Sequence, residues 1–233
     1  MLIIGHRGAK GEAPENTVQS IQRALDDGAD MVEFDLRTTR DDVVVLSHGP
    51  FLIKTHGIWR SVARNDFTTL RRLTEAKGAP LATFDEILDV VPDHRQLCIE
   101  FKRMSAVEPA LKLLDKKYPS KKVQSEIFIE SFYIHNLRRI RELWPHARLG
   151  FLFYRSWQLL KRRHRELNFY ALMPFAKWPI RHDAKRARRL GLKLYVYGVH
   201  GTKILRKSQR AKVDGIITNF PEKMISLLRR YRS

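Results

Sequence analysis

The sequence predicts an α/β fold, a single (β/α)8 TIM barrel that occupies residues 1–233 as one domain. The length of 233 residues is close to the ~250 that are typical of such barrels. Apolar residues make up 43% of the chain, which is enough for a sizeable core. Short apolar runs alternate with helical patterns from one end to the other, as they do in barrels of this class.

Nine apolar runs are predicted as strands, one more than an eight-stranded barrel needs. They are Leu2–Gly5, Met31–Leu36, Val43–Ser47, Gln96–Phe101, Ile127–Ser131, Leu149–Phe153, Phe169–Met173, Leu192–Val199 and Gly215–Thr218. About six residues separate the second run from the third, whereas a parallel crossover needs about a dozen. We therefore expect the third run to be an antiparallel hairpin arm that turns near Arg40–Asp42, which leaves eight barrel strands.

Helical patterns follow most of the strands. The segment Glu15–Gly28 carries a continuous apolar face, and Thr83–Val91 begins with a capping box of Thr83 and Glu86. Further helices are expected to end near Tyr118, Trp144, Leu167, Arg189 and Lys212, and a last one to follow Pro221. The stretch from Phe51 to Pro80 has the weakest pattern and is predicted to be a short loop-rich insertion.

The positive charge is concentrated in the second half of the chain. The net charge is +19, and residues 134–233 carry 25 Lys and Arg against 5 Asp and Glu. Such a surface favours an anionic partner, whether a lipid headgroup, a nucleic acid or a phosphate substrate. A solvated basic face without a partner explains the composition equally well.

The sequence gives no sign of secretion or of a membrane span. No apolar run approaches the ~18 residues of a spanning helix, and Met1–Ile4 is too short for a signal peptide. The single cysteine, Cys98, lies in an apolar run and has no partner for a disulfide within the chain. We therefore expect a cytoplasmic protein in which Cys98 is buried.

Polar side chains follow the first two strands, and barrel active sites lie at the carboxyl ends of strands. His6 and Arg7 follow the first strand, although a histidine at a strand end is more often structural than catalytic. Glu33 and Asp35 are two residues apart and share one face of the second strand. Their repulsion would be relieved by a divalent cation, which favours oxygen ligands. The alternative is a salt bridge from this pair to Arg37 or Arg40.

Two further sets of polar residues lie at the ends of the next two strands. A turn near Arg40–Asp42 places His48 roughly opposite Glu33, and a slip of one residue would turn it to the other face. Glu100 and Lys102 share a face at the end of the following strand. They are either a surface ion pair or, beside a metal, a third ligand and a phosphate-binding cation. The whole set suits phosphoryl chemistry, because cations offset phosphate charge and histidines transfer protons near neutral pH.

The order of these motifs resembles that of the glycerophosphodiester phosphodiesterase family. The matching segments are His6-Arg7-Gly8, Pro14-Glu15-Asn16-Thr17, Glu33-Phe34-Asp35, His48, Leu81–Leu88, Glu100-Phe101-Lys102, Ser131-Phe132 and Asp214–Thr218. Each motif alone is modest. The ordered set spans nearly the whole chain and is highly specific.

The resemblance implies hydrolysis of glycerophosphodiesters to an alcohol and glycerol 3-phosphate, in a barrel that depends on a divalent cation. The roles it implies are general acid and base for His6 and His48, ligands of Mg²⁺ or Ca²⁺ for Glu33, Asp35 and Glu100, and phosphate contact for Arg7 and Lys102. In a route proposed for the family, a neighbouring hydroxyl of the substrate attacks phosphorus and water then opens the cyclic phosphate.

The chain departs from the family pattern at three places. Gly49 stands where an Asp usually follows the second histidine, and Asn219 stands where Asp is common. The segment Tyr197–His200 replaces a motif that usually contains Trp-Thr and then Asn. These departures bear on substrate choice more than on the chemistry, because all residues with central roles are present.

Two functions follow from these observations. The first is an enzyme acting on small glycerophosphodiesters, or on lysophospholipids at an anionic membrane that the basic half, Trp157 and Trp178 would contact. The second is a catalytically weakened barrel that binds anionic lipid or another polyanion. No nucleic-acid partner is expected, because no nucleic-acid-binding module is recognised. The oligomeric state is not predicted.

Overall fold

The computed structural model describes residues 1–92, 96–120, 124, 127–152, 157–177 and 180–230, except the side chains of 157–159. Eight parallel strands form the barrel: β1 Leu2–Gly5, β2 Met31–Thr38, β4 Gln96–Phe101, β5 Phe128–Ser131, β6 Arg148–Leu152, β7 Ala171–Met173, β8 Lys193–Tyr197 and β9 Gly215–Thr218. Strand β1 pairs with both β9 and β2, which closes the ring. The short strand β3, Val44–Leu46, pairs antiparallel with β2. The predicted barrel with a hairpin arm is therefore confirmed.

Helices surround the barrel, as the alternating pattern predicts. They are Val18–Asp26, Phe84–Val90, Val107–Lys117, Ile134–Leu143, Trp157–Leu167, Ile180–Arg189, Thr202–Ala211 and Pro221–Arg230. The predicted capping box is present, since the Thr83 side chain accepts from the Glu86 backbone and the Glu86 side chain accepts from the Thr83 backbone. None of the described helices is both long and apolar enough to cross a membrane.

The insertion after the hairpin is more regular than the sequence predicts. It contains the helices Ile53–His56 and Phe67–Glu75 and the short 3-10 helix Val62–Arg64. Its buried residues Leu52, Val62 and Leu70 pack with Val45 and Leu81 in a separate small core. The expectation of a loop was thus wrong for Phe67–Glu75, a nine-residue helix. The helix buries only Leu70 and Thr74, so its sequence lacks a strong apolar pattern.

The interior of the barrel has two kinds of layer. The lower layer is apolar and includes Ile4, Met31, Cys98, Phe128, Tyr195 and Ile217. Side chains two residues apart on a strand point to the same face. The next inward-facing positions, toward the carboxyl ends of the strands, are therefore those of the polar site residues. The fully buried Cys98 agrees with the expectation from its apolar run. Barrel strands thus direct the candidate site residues to the carboxyl ends of the sheet.

The aromatic residues expected at a membrane contact lie outside what the structure describes. This applies to the side chain of Trp157 and to the whole of Trp178. The basic residues of the helix Ile180–Arg189 lie on its solvent face, whereas Ala184 and Ala187 pack inward. The basic half therefore gives the outer helices a solvated positive surface.

Candidate active site

Three carboxylates meet at the carboxyl ends of β2 and β4. Oxygens of Glu33, Asp35 and Glu100 all lie within 4.8 Å of one another. Their residues are 1%, 0% and 6% exposed, so the cluster is almost wholly removed from water. The parallel register sets Asp35 beside Glu100, as the predicted strands require.

Two buried cations compensate this charge. Lys102 Nζ lies 3.0 Å from Asp35 Oδ1 and 2.6 Å from Glu100 Oε1. Arg7 Nε lies 3.1 Å from Asp35 Oδ2, and the Arg7 backbone N–H donates to Glu33 Oε2 at 2.8 Å. The cluster is thus an ordered charge network that joins the ends of β1, β2 and β4.

The alternative partners expected for the carboxylate pair were wrong. Arg37 donates to the backbone carbonyl of His48 through Nη2, at 2.9 Å. Arg40 forms its ion pair with Asp66 in the insertion. Neither contact neutralises Glu33, because the His48 carbonyl engages one guanidinium and Asp66 the other.

The turn that carries His6 and Arg7 depends on glycine. Arg7 and Gly8 both have positive φ, at 50° and 78°. A Cβ on Gly8 would lie 2.3 Å from the backbone of Ser20, whose hydroxyl donates to the Arg7 carbonyl. The tight contact between this turn and the first helix fixes the direction of the Arg7 side chain.

The segment Pro14–Thr17 supports the charge network, a role that the sequence analysis did not assign. Glu15 accepts a 2.8 Å hydrogen bond from Arg7 Nη1. Asn16 donates to Asp35 Oδ2 at 2.8 Å and accepts from the Asp35 backbone at 3.1 Å. Thr17 caps the following helix by accepting from the Ser20 backbone. The motif therefore holds both Arg7 and Asp35 in place.

Burial and neighbouring charges shift the pKa values of the three carboxyl groups in opposite directions. Burial works to raise the pKa of Asp35, but the neighbouring charges of Lys102 and Arg7 outweigh it and hold that pKa below its ordinary value. Burial and then the charge of Asp35 raise the pKa of Glu33 well above its usual range. The same two causes raise the pKa of Glu100 to about 8. A divalent cation would let all three ionise, so this all-oxygen set fits a hard cation such as Mg²⁺ or Ca²⁺.

A second acidic group has comparable spacing but a different character. Glu12, Asp27 and Glu222 lie near the protein surface, and their oxygens also fall within 4.8 Å of one another. The Arg23 guanidinium reaches all three, at 2.8, 2.7 and 3.1 Å. Arg23 already bridges this group, which solvent also reaches, so the buried cluster is the better cation site.

His6 lies beside the carboxylates in a defined tautomer. Its Nδ1 is 2.6 Å from Asn219 Oδ1, an atom that only accepts, so Nδ1 carries the proton. Its Nε2 lies 4.0 Å from Glu33 Oε2. Burial, followed by the charge of Arg7, lowers the pKa of His6 to about 3. The ring is therefore neutral at pH 7, with its Nε2 lone pair directed into the site.

His48 reaches the same site from the hairpin arm. Strands β2 and β3 pair Leu36 with Leu46, a register that would place His48 level with Phe34, one residue from the expected Glu33. The chain leaves the ladder here, and the His48 side chain lines the same cavity as His6 and Glu33. Burial lowers the pKa of His48 to about 4. The expected neighbourhood was correct although the expected register was off by one.

The loop at His48 is fastened without the usual carboxylate. Gly49 follows His48, and its carbonyl accepts a hydrogen bond from Ser47 Oγ at 2.9 Å. Both Nε and Nη2 of Arg37 donate to the His48 carbonyl. The loop is therefore held by Ser47 and Arg37, and an Asp at position 49 is not needed to fix it.

The site opens into two adjoining cavities. An inner cavity of about 270 Å³ contains the two histidines, Arg7, Lys102, Glu33 and Glu100. Its aromatic wall is formed by Phe132, Phe175 and Tyr197. An outer cavity of about 540 Å³ shares His48, Lys102 and Phe132 with it.

The segment Tyr197–His200 forms part of this wall. Tyr197 stacks on Phe175, and their ring centroids are 5.2 Å apart. His200 Nδ1 accepts a hydrogen bond from the Asn219 backbone at 3.2 Å, so its Nε2 carries the proton. The chain thus presents a tyrosine ring and an imidazole where the family pattern inferred from the sequence has Trp-Thr and Asn.

A fourth buried carboxyl group was missed by the sequence analysis. Glu130 is 2% exposed, lines the inner cavity and pairs in register with Glu100. Its Oε2 has no hydrogen-bond partner among the described residues. Burial, and then the charge of Glu33, raise its pKa well above the usual range. The signal was present, because Glu130 follows the inward-facing Phe128 by two residues.

Known proteins are similar to this chain over three quarters or more of its length. A glycerophosphodiester phosphodiesterase of Caldanaerobacter subterraneus is 27% identical over 242 residues, which cover 98% of each chain. Mouse lysophospholipase D GDPD3 is 26% identical over 191 residues, 76% of this chain and 55% of the mouse protein. An Oleispira antarctica phosphodiesterase, solved with the product sn-glycerol-3-phosphate, has a TM-score of 0.88 at 20% identity and covers 98% of this chain and 97% of its own.

The sequence model of one family matches most of the chain. Its description is the glycerophosphoryl diester phosphodiesterase family, and the match runs over residues 6–223. That range includes the two histidines, the three clustered carboxylates and the two buried cations of the site. The resemblance inferred from the ordered motifs is confirmed, and the chain belongs to the glycerophosphoryl diester phosphodiesterase family of enzymes.

Proposed function

We propose that this enzyme hydrolyses glycerophosphodiesters to an alcohol and glycerol 3-phosphate with a divalent cation held by Glu33, Asp35 and Glu100. The observation that carries the proposal is one cavity lined by two histidines, two cations and Glu33 and Glu100, whose carboxylates cluster with that of Asp35. The cation, Mg²⁺ or Ca²⁺, would stabilise negative charge on the phosphate oxygens.

The protein's own groups bind the substrate and move protons. Arg7 and Lys102 attract the phosphate, since each already faces the cavity with buried positive charge. His6 accepts the proton of the attacking hydroxyl, from the substrate or from water, at Nε2, the nitrogen that its contact with Asn219 leaves unprotonated. His48 donates a proton to the leaving alcohol, because a phosphate anion beside it favours the imidazolium form.

The cavities suit more than one size of diester. The inner cavity is large enough for a glycerophosphate group, and the outer cavity offers apolar and cationic side chains beyond it. The name of the mouse relative, lysophospholipase D, supports a lysophospholipid as a second substrate. Its acyl chain would extend into the outer cavity, where Pro50, Phe51 and Ile53 lie.

The rival function is a weakened barrel that only binds anionic lipid. Its main support is Gly49, which replaces a family carboxylate. That support is small, because Arg37 and Ser47 hold the loop at His48 by hydrogen bonds. All groups assigned to the chemistry line one cavity or join the carboxylate cluster, which favours the enzyme.

Metal-dependent turnover is the first expected outcome. Choline release from glycerophosphocholine and from lysophosphatidylcholine is measured, together with glycerol 3-phosphate from the former. We expect EDTA to abolish release and Mg²⁺ or Ca²⁺ to restore it, because the buried carboxylates need a cation to ionise together. Turnover that persists in EDTA would contradict the metal role. No turnover of either substrate, alongside tight binding to anionic vesicles, would favour the weakened barrel.

Loss of either histidine is expected to remove most activity. His6→Ala and His48→Ala should each lower kcat by about 10²–10⁴-fold, the range that proton transfer contributes in enzymes. His182→Ala is the matched control, since that histidine is exposed on an outer helix. Thermal melting checks that each variant is folded. A folded variant with near-parent turnover would remove that histidine from the mechanism.

Glu130 is expected to contact a substrate hydroxyl through its unpartnered oxygen. Glu130→Leu should raise KM for glycerophosphocholine about tenfold with a smaller change in kcat, the loss expected for one hydrogen bond. Glu130→Gln keeps a polar group of the same shape and should stay near the parent KM. Equal KM values for the Leu variant and the parent would show that Glu130 does not touch the substrate.

A further inference from the structure

Exposed hydrophobic side chains are concentrated at the mouth of the barrel. Among the described residues six large ones are exposed, and four form what we term the mouth patch: Phe51, Ile53, Trp59 and Tyr133. Phe51, Ile53 and Tyr133 line the outer cavity, and Trp59 stacks on Phe51 with centroids 5.0 Å apart. Trp59 is 74% exposed, an unusual state for the largest apolar side chain.

The insertion that carries most of the mouth patch is positively charged. Its first half, residues 51–65, contains Lys54, Arg60 and Arg64 and no Asp or Glu. All three basic residues are exposed. Glu15, which Thr55 contacts, is buried and neutralised by Arg7. The mouth patch therefore lies beside exposed cations that form no ion pair with any described residue, and aromatic rings beside cations bind at the surface of an anionic bilayer.

The insertion holds the mouth patch above a packed core. Leu52 and Val62 are buried in the small core beneath it. Backbone hydrogen bonds from Leu52 to the Arg60 carbonyl and from Val62 to the Pro50 carbonyl join the two arms of the segment. The apolar side chains Phe51 and Trp59 consequently project from an ordered loop, and their exposure does not arise from a lack of local packing.

We propose that the mouth patch docks on an anionic lipid bilayer, with Trp59 in the interface and Arg60 and Arg64 against the headgroups. Docking at this face sets the outer cavity, and through it the catalytic cavity, against the membrane. A lipid diester then enters without crossing bulk water, a consequence that rests on the proposed function. The contact lies at the mouth and not on the basic outer helices, whose cations surround the barrel wall.

Vesicle binding tests this surface. The protein is sedimented with phosphatidylcholine vesicles that contain or lack phosphatidylglycerol. We expect binding to the anionic vesicles only, and about tenfold weaker binding for Trp59→Ser and for the double variant Arg60→Gln, Arg64→Gln. Leu143→Ser is the control, because Leu143 is 38% exposed at the end of a helix on the opposite end of the barrel. That variant should bind as the parent does.

Turnover of water-soluble glycerophosphocholine separates docking from catalysis. Trp59 and the two arginines lie outside the cavity linings, so their variants should keep parent turnover while losing vesicle binding. Trp59-dependent vesicle binding by an inactive parent would preserve the docking surface and overturn the proposed function. Docking is overturned if the parent does not bind anionic vesicles, or if Trp59→Ser binds as well as the parent. It is equally overturned if the patch instead mediates self-association in sedimentation velocity.

Discussion

The contact of the Asp35 carboxylate with Lys102 and Arg7 is the interaction on which the site depends. Asp35 is fully buried, so its charge persists only because two cations and Asn16 compensate it. In other proteins, removing one partner from a buried ion pair costs about 3–5 kcal/mol, since the remaining charge cannot be solvated. The same contacts join the ends of three strands. Burial and the charge of Asp35 raise the pKa values of Glu33 and Glu100, and a further cation would lower them. The buried charge of Asp35 therefore accounts both for the contacts between the strand ends and for the proposed affinity of this site for a cation.

The strands and the central residues of the site could be predicted from the sequence because both follow short-range patterns of apolar and polar residues. Period-two alternation identifies Glu33 with Asp35 and Glu100 with Lys102 as inward pairs, and the short link before Val43 reveals the hairpin. The same alternation would have identified Glu130, had it been applied above Phe128. The position of His48 depends on where the chain leaves the β-ladder. A hydrogen bond from Arg37 to the His48 carbonyl holds the chain at this point, and no local sequence pattern predicts that bond. The roles of Glu15 and Asn16 likewise arise from tertiary contacts across the turn.

The positions at which the chain departs from the family pattern lie around the charge network. Arg37 and Ser47 secure the loop in which Gly49 replaces the Asp of the family pattern, and Tyr197 and His200 form part of the cavity wall. The insertion adds exposed aromatic and basic side chains at the entrance. The charge network thus lies at the strand ends, and loops and strand termini form the surfaces around it. This division agrees with the general property of barrels that loops set specificity while strand ends hold catalytic groups.

The central claim is that the three buried carboxylates hold one divalent cation. Crystals grown with Mn²⁺ in place of Mg²⁺, and measured at the manganese absorption edge, would locate the ion directly by its anomalous scattering. The account predicts one strong peak bounded by oxygens of Glu33, Asp35 and Glu100. An absence of any peak there, or a peak only at the exposed acidic group around Arg23, would contradict it.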